Sequence, residues 1–274
     1  MKLLHLTDIH LTTPGQTISG RDPNANFERA LTHAIAHHPD AEAMVITGDL
    51  SDWGDRADYL RLRQRVAQLP LPVHLCIGNH DERATFLEVF PDSADRDAHV
   101  QSAAAVSGGT LILLDTWGPE THAGHFCARR AAWLDEVLAD AAAPVFLFMH
   151  HPPLRLGIAP MDQIGLLDCE PFGDVVARHR SKIAHIACGH VHLPVAGSFH
   201  GIPVSVSRGT NHAAWAAFGE TERLVGSDLP EAYAVILAEG PSVTVTMVEF
   251  GYEGPVRRGP LPDYASWDRT AMDR

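Results

Sequence analysis

The sequence predicts an α/β (α+β) fold built from two mixed β-sheets with helices packed outside them. Three observations carry that prediction. The first 80 residues alternate apolar strand-like runs with helical i, i+3, i+4, i+7 patterns, as parallel strands joined by crossover helices do. The second half adds further apolar runs, several of them paired as hairpins, and two packed sheets would bury them all. The chain has 274 residues, 45% hydrophobic and 20% charged, enough for one substantial core.

Lys2 to Thr7 is a short buried strand closed by Asp8-Ile9-His10, and residues 12–26 form a loop rich in Thr, Pro, Gly and Asn. Phe27, Ala30, Leu31, Ala34 and Ile35 place a helix over Ala25 to His38, stopped by Pro39-Asp40. Ala43 to Thr47 is a second strand, ending at Gly48-Asp49, and Asp55 to Leu69 a second helix, stopped by Pro70. Val73 to Ile77 is the third strand and runs into Gly78-Asn79-His80-Asp81. Ala98 to Val106 and Leu111 to Asp115 flank Ser107-Gly108-Gly109 as a hairpin. A helix over Ala128 to Ala142 leads to a strand over Pro144 to Met149 that ends in His150-His151-Pro152-Pro153. A helix around Pro171 to His179 precedes the strand Ile183 to Cys188, which ends in Gly189-His190-Val191-His192. Val195 to Val206, turning at His200-Gly201, is a hairpin, and Ala232 to Ala238 with Ser242 to Glu249 is another. Residues 1–254 are expected to make one domain, and 255–274, rich in Pro, Arg and Asp, a C-terminal extension.

A net charge of −13 argues against a protein that grips a nucleic acid polymer over a broad basic surface. It leaves room for a small anionic substrate, because bound metal dominates its local field. Cys76, Cys127, Cys169 and Cys188 lie far apart and imply no disulfide framework. The first residues reach Asp8 after too short an apolar run for a signal peptide, and no run approaches the ~20 residues of a membrane helix. A cytoplasmic protein without a membrane partner is expected.

Candidate metal ligands stand at the ends of the strands: Asp8, His10, Asp49, Asn79, His150, His190 and His192. A site at the carboxyl ends of parallel strands is where such a topology puts function. In extended chain, residues i and i+2 point the same way, so Asp8 with His10, and His190 with His192, would each aim at one point. Imidazole mixed with carboxylate suits zinc, iron or manganese. Seven ligands exceed one four-coordinate ion; two divalent ions roughly 3.5–4 Å apart, sharing one carboxylate, would use them all. Two dications against two carboxylates leave about +2, or about +1 with a bridging hydroxide, a centre that attracts a phosphate ester.

Asp8-Ile9-His10, Gly48-Asp49, Gly78-Asn79-His80-Asp81, His150 and Gly189-His190-Val191-His192 resemble, in order, the motif set of the calcineurin-like metallophosphoesterases over residues 3 to 210. Thr7-Asp8-Ile9-His10, Gly48-Asp49-Leu50-Ser51-Asp52, His150-His151-Pro152-Pro153 and Met161-Asp162-Gln163-Ile164 are similar to the bacterial class III cyclic nucleotide phosphodiesterase and glycerophosphodiesterase branch. The resemblance implies a four-layer αββα sandwich. It implies that Asp8, His10, Asp49 and His192 hold one ion and Asp49, Asn79, His150 and His190 the other, with Asp49 bridging. His150 and His151 both stand at the fourth motif; the family pattern favours the first, and strand alternation excludes both pointing inward. His80 resembles the family's non-ligand histidine, which binds phosphate with Asn79 and protonates the leaving alkoxide while a metal-activated hydroxide attacks.

Asp52 and Asp81 are candidates to orient imidazoles, and Arg208 or His212 to touch the second ester group. Residues 155–168 lie where they would wall the pocket. Trp215 and Phe218 are candidates to face a partner subunit in a dimer or higher homo-oligomer, with Trp215 alternatively in the core. The implied activity is hydrolysis of small phosphodiesters, either cyclic nucleotides or glycerophosphodiesters. A monoesterase or nucleotidase on the same site is the rival, ahead of a nuclease or a non-catalytic metal-binding scaffold.

Overall fold

The computed structural model describes residues 1–257. Most of the extension expected over 255–274, namely 258–274, lies outside the described residues. The chain runs β1 (Lys2–Leu6), α1 (Pro23–His37), β2 (Ala43–Thr47), α2 (Arg56–Val66), β3 (Val73–Cys76) and α3 (Arg83–Val89). It continues through β4 (Ser102–Val106), β5 (Gly109–Leu114), α4 (Ala128–Asp140), β6 (Val145–Met149), α5 (Ala159–Asp162), α6 (Cys169–Arg178) and β7 (Ile183–Cys188). Then come β8 (Val195–Phe199), β9 (Ile202–Val206), β10 (Ala213–Ala214), β11 (Gly226–Ser227), β12 (Tyr233–Glu239) and β13 (Ser242–Val248).

One large sheet has the order β13-β12-β1-β2-β3 and the other β4-β5-β6-β7-β9-β8, with β10-β11 a separate two-stranded pair. β1, β2 and β3 are parallel, as are β5, β6, β7 and β9; β12, β13, β4 and β8 join antiparallel. The period of two along each strand divides the core into layers. Leu3, Val45, Leu111, Leu113, Phe146 and Phe148 face the space between the sheets. Their neighbours Leu4, Met44 and Ile46 turn outward to Phe27, Ala30 and Leu31 of α1 and to Tyr59 and Leu62 of α2. Ile112, Leu114 and Leu147 pack in the same way against Leu134 and Leu138 of α4 and Phe172 and Val176 of α6. The result is the αββα sandwich.

Several expected boundaries move. The first half of the hairpin begins at Ser102, not Ala98, because residues 91–100 are taken up by a 3-10 turn and a bridge from Ala94 to Val100. α2 ends at Val66. Helix α3 and the two-residue strands β10 and β11 have no counterpart in the expectation; α3 is seven residues long, too short for periodicity to register. Trp215 is 54% exposed and Phe218 68%, which removes Trp215 from the core.

Candidate metal centre

The parallel strands of both sheets end together, and there the structure gathers the seven predicted ligands. Asp8, His10, Asp49 and His192 are buried, with ligand atoms all within 4.8 Å of one another. His150 Nε2 lies 3.3 Å from Asp49 Oδ1, 3.2 Å from Asn79 Oδ1 and 3.3 Å from His190 Nδ1. Asp49 therefore touches both groups.

The backbone reason differs from the one expected. Asp8, His10, Asp49, His190 and His192 are not in extended chain; their φ angles are +53°, +46°, +46°, +77° and +52°. Left-handed backbone is unfavourable for residues with a Cβ and persists where the surroundings over-determine it, characteristically at functional sites. Each strand stops, and a tight turn aims the side chains. Glycine is required at two of these turns by close approach. A Cβ on Gly78 would collide with Asp49 Oδ1, and one on Gly189 with Thr7 Oγ1.

Each of four imidazoles has one nitrogen committed to an acceptor outside the cluster. His150 Nδ1 donates to the Thr47 carbonyl at 2.6 Å, His190 Nε2 to that of Ile164 at 2.8 Å, and His192 Nδ1 to that of His212 at 2.9 Å. His10 Nδ1 donates to Asp52 Oδ1 at 3.0 Å. Carbonyls only accept, so these nitrogens carry the protons and the opposite ones turn inward. His10 Nε2 is buried with no hydrogen-bond partner. His192 Nε2 faces Asp8 Oδ1 at 3.3 Å. Inward lone pairs set against carboxylates call for positive charge between them, and this donor set fits divalent transition metals.

The electrostatics of the protein alone agree. Burial lowers the pKa of His150, but the Asp49 charge and its hydrogen bond outweigh it and hold the imidazole at about 9. Burial raises the Asp49 carboxyl, and His150, with His80 and His10 behind it, drives it well below the ordinary range. A proton thus occupies ground that a cation would take. His190 is lowered well below its ordinary value by burial and by His150.

Other expectations change. Both His150 and His151 are buried and both approach His190, whose ring centroid is 4.4 Å from that of His151. β6 has already ended at Met149, so strand alternation does not separate them. His151 Nδ1 pairs with Thr116 Oγ1 at 2.7 Å, while Asp49 and Asn79 lie against His150. Asp52 does orient an imidazole, that of His10. Asp81 orients none: it accepts from the backbone N–H groups of Leu50, Ser51 and Gly78 and from the Tyr59 hydroxyl, tying two ligand turns together. Arg208 is buried and paired with Glu249, and does not line the cleft. His212 lines it, stacked on His192 with centroids 4.1 Å apart.

Of the seven, His10, Asp49, Asn79, His190 and His192 line a cleft of about 400 Å³, with Asp8 and His150 fully buried behind them. Its polar side holds Asp49, Asp52, Asn79, His80, His192 and His212; its other walls include Ile18, Met161, Ile164, Leu224 and Val225. No Lys or Arg lines it among the described residues. The His80 backbone N–H donates to Asp49 Oδ1 at 2.9 Å, and its Nδ1 donates to the Asp52 carbonyl at 2.9 Å.

The family model for calcineurin-like phosphoesterases matches residues 1–194. The chain belongs to that family. Its phosphoesterase relatives include a probable cyclic nucleotide phosphodiesterase of Rhodopseudomonas palustris, 34% identical over 93% of this chain and 95% of that one. A glycerophosphodiester phosphodiesterase of Enterobacter lignolyticus is 31% identical over 70% of this chain and 71% of its own. The phosphoesterase fold is also that of yellow lupin purple acid phosphatase, with a TM-score of 0.64 at 13% identity, covering 93% of this chain and 52% of the other.

Within this cleft, sequence reasoning missed His122. Its Nδ1 accepts from Asn79 Nδ2 at 2.9 Å, which turns Asn79 Oδ1 toward His150. His122 sits in a loop outside every recognised motif, and the only signal for it is proximity in space. The Ile164 carbonyl that holds His190 was equally invisible, since a main-chain oxygen has no residue-type signature.

Proposed function

We propose that the protein is a metal-dependent phosphoric diester hydrolase acting on small phosphodiesters, cyclic nucleotides or glycerophosphodiesters. The observation that carries this reading is the convergence of four imidazoles, each held by its outer nitrogen, on Asp8 and Asp49. In this reading Asp8, His10, Asp49 and His192 hold one ion and Asp49, Asn79, His150 and His190 a second, drawn from manganese, iron and zinc. Two such ions supply Lewis acidity toward phosphoryl oxygens and a hydroxide nucleophile near neutral pH.

The chain's own groups then have separate tasks. Asn79 contributes an oxygen without adding charge, so the site stays positive. His80, with Nδ1 committed to the Asp52 carbonyl, presents Nε2 to bind the phosphate and protonate the leaving oxygen. His10 and His192 are kept in one tautomer by Asp52 and the His212 carbonyl. The absence of Lys and Arg from the cleft among the described residues supports a monoanionic diester over a dianionic monoester. Relatives named for cyclic nucleotide and for glycerophosphodiester hydrolysis support the diester class and leave both branches open.

The test is a turnover panel on manganese-, zinc- and iron-loaded protein with an aryl diester, its monoester, cyclic AMP and glycerophosphoethanolamine. Diesters are expected to be hydrolysed faster than the monoester. A monoester consumed much faster than every diester overturns the assignment. His80→Ala is expected to lower kcat by about 10²–10⁴-fold with metal content unchanged; loss of metal instead would make His80 a ligand.

A further inference from the structure

The wall made by Asn79, His80 and His122 has a cleft on each side. One is the apolar-walled cleft over the cluster; the other, of about 310 Å³, opens past His80 between Trp53 and Trp117. The wall is braced: His122 accepts from Asn79, and His80 is fixed to Asp52 and Asp49. Trp117 is also fixed, its Nε1 donating to the Asp81 carbonyl at 2.7 Å. One face of its ring is covered by the Arg83 guanidinium, 4.4 Å from the centroid. Trp53, which also lines this cleft, is 76% exposed. Glu82 and Glu120 stand at the rim, and no Lys or Arg lines this cleft among the described residues.

A phosphodiester has two substituents, and in an in-line displacement the leaving oxygen departs opposite the nucleophile. Under the reading above, which this inference rests on, that is the His80 side. We infer that the Trp53–Trp117 cleft is a leaving-group subsite for an uncharged or cationic aromatic alcohol. The retained substituent takes the apolar-walled cleft. An indole platform binds flat rings without reading their edges, and the acidic rim repels a group carrying a further phosphate. A cyclic nucleotide, whose two ester oxygens belong to one sugar, cannot place separate substituents in the two clefts. In the reaction a water oxygen bonds to phosphorus and the bond from phosphorus to the aryl oxygen breaks, its electron pair staying on that oxygen. Of the two water protons one ends on the aryl alcohol and one on the monoester anion.

Trp53→Ala and Trp53→Phe test this in manganese-loaded protein with ethyl 4-nitrophenyl phosphate and cyclic AMP as substrates. Trp53→Ala is expected to raise KM for the aryl diester about fivefold or more, with kcat and both cyclic AMP constants within about twofold. Trp53→Phe is expected to restore KM. Binding is read separately by calorimetry with ethyl benzylphosphonate, a diester mimic with carbon in place of the leaving oxygen; its Kd should rise by the same factor in Trp53→Ala. An unchanged KM, or an equal change for cyclic AMP, overturns the subsite. If the wild type hydrolyses no diester, the phosphodiesterase reading fails by itself. The benzylphosphonate titration then still decides the subsite, and equal Kd in wild type and Trp53→Ala overturns it.

Discussion

His150 Nε2 and His190 Nδ1 face each other at 3.3 Å, while the opposite nitrogen of each ring donates to a carbonyl. Two neutral imidazoles so arranged set lone pair against lone pair; one must take a proton, or both must face a cation. Chelation is therefore expected to destabilise the fold. At free metal about 100-fold above Kd the bound state gains about 3 kcal/mol, which a thermal melt with and without chelator reads as a shift of several degrees. An identical melt in both conditions would count against a metal at this position.

Asp52 serves two histidines through different atoms: its carboxylate holds His10 and its carbonyl holds His80. Asp52→Ala removes the first bond, and with it a carboxylate oxygen 3.6 Å from His80 Nδ1, but keeps the bond from His80 to the carbonyl. Metal affinity should fall about 10- to 100-fold, while the dependence of rate on leaving-group pKa, which reports on His80, stays as in the wild type. A steeper dependence would show that the carboxylate also acts on His80.

Asp81 collects four donors from the turns after β2 and β3 and from α2. An amide in its place would turn an NH₂ toward backbone N–H groups. Asp81→Asn should lose about 2 kcal/mol or more in a urea titration, with metal binding weakened because Gly78 and Leu50 flank Asn79 and Asp49. Wild-type stability in this variant would assign the fixing of these turns to the backbone alone.

His5 lies between the sheets, its Nε2 2.7 Å from Thr47 Oγ1 and its Nδ1 3.1 Å from Ser207 Oγ. Burial, aided by His185, lowers its pKa to about 3, and burial lowers that of His185 to about 4. Below the ordinary value of 6.5 the unfolded chain takes up protons that the folded chain refuses. Stability is thus fully present above pH 6.5 and declines as pH falls toward 4 and then 3. Each group should cost about 2 kcal/mol between pH 6.5 and 5. Urea midpoints across that range, compared between wild type and His5→Gln, should differ in slope by about one proton; equal slopes would place the titration elsewhere.

The sequence by itself determined the long strands of the two large sheets and what stands at the ends of the parallel ones. Short apolar runs, broken by Asp-x-His, Gly-Asp, Gly-Asn-His-Asp and Gly-His-x-His, signal both buried strands and metal-type donors, because residue chemistry and run length are local. The tertiary structure alone decided how the donors are aimed. Left-handed backbone at Asp8, His10, Asp49, His190 and His192 has no signature in residue type, and surrounding contacts impose it. The same holds for the carbonyls of Thr47, Ile164 and His212, which fix three imidazoles from 103, 26 and 20 residues away. It holds as well for β12, which enters the first sheet beside β1 from the far end of the chain. A main-chain oxygen is the same atom in every residue, so only its position in space reveals what it holds.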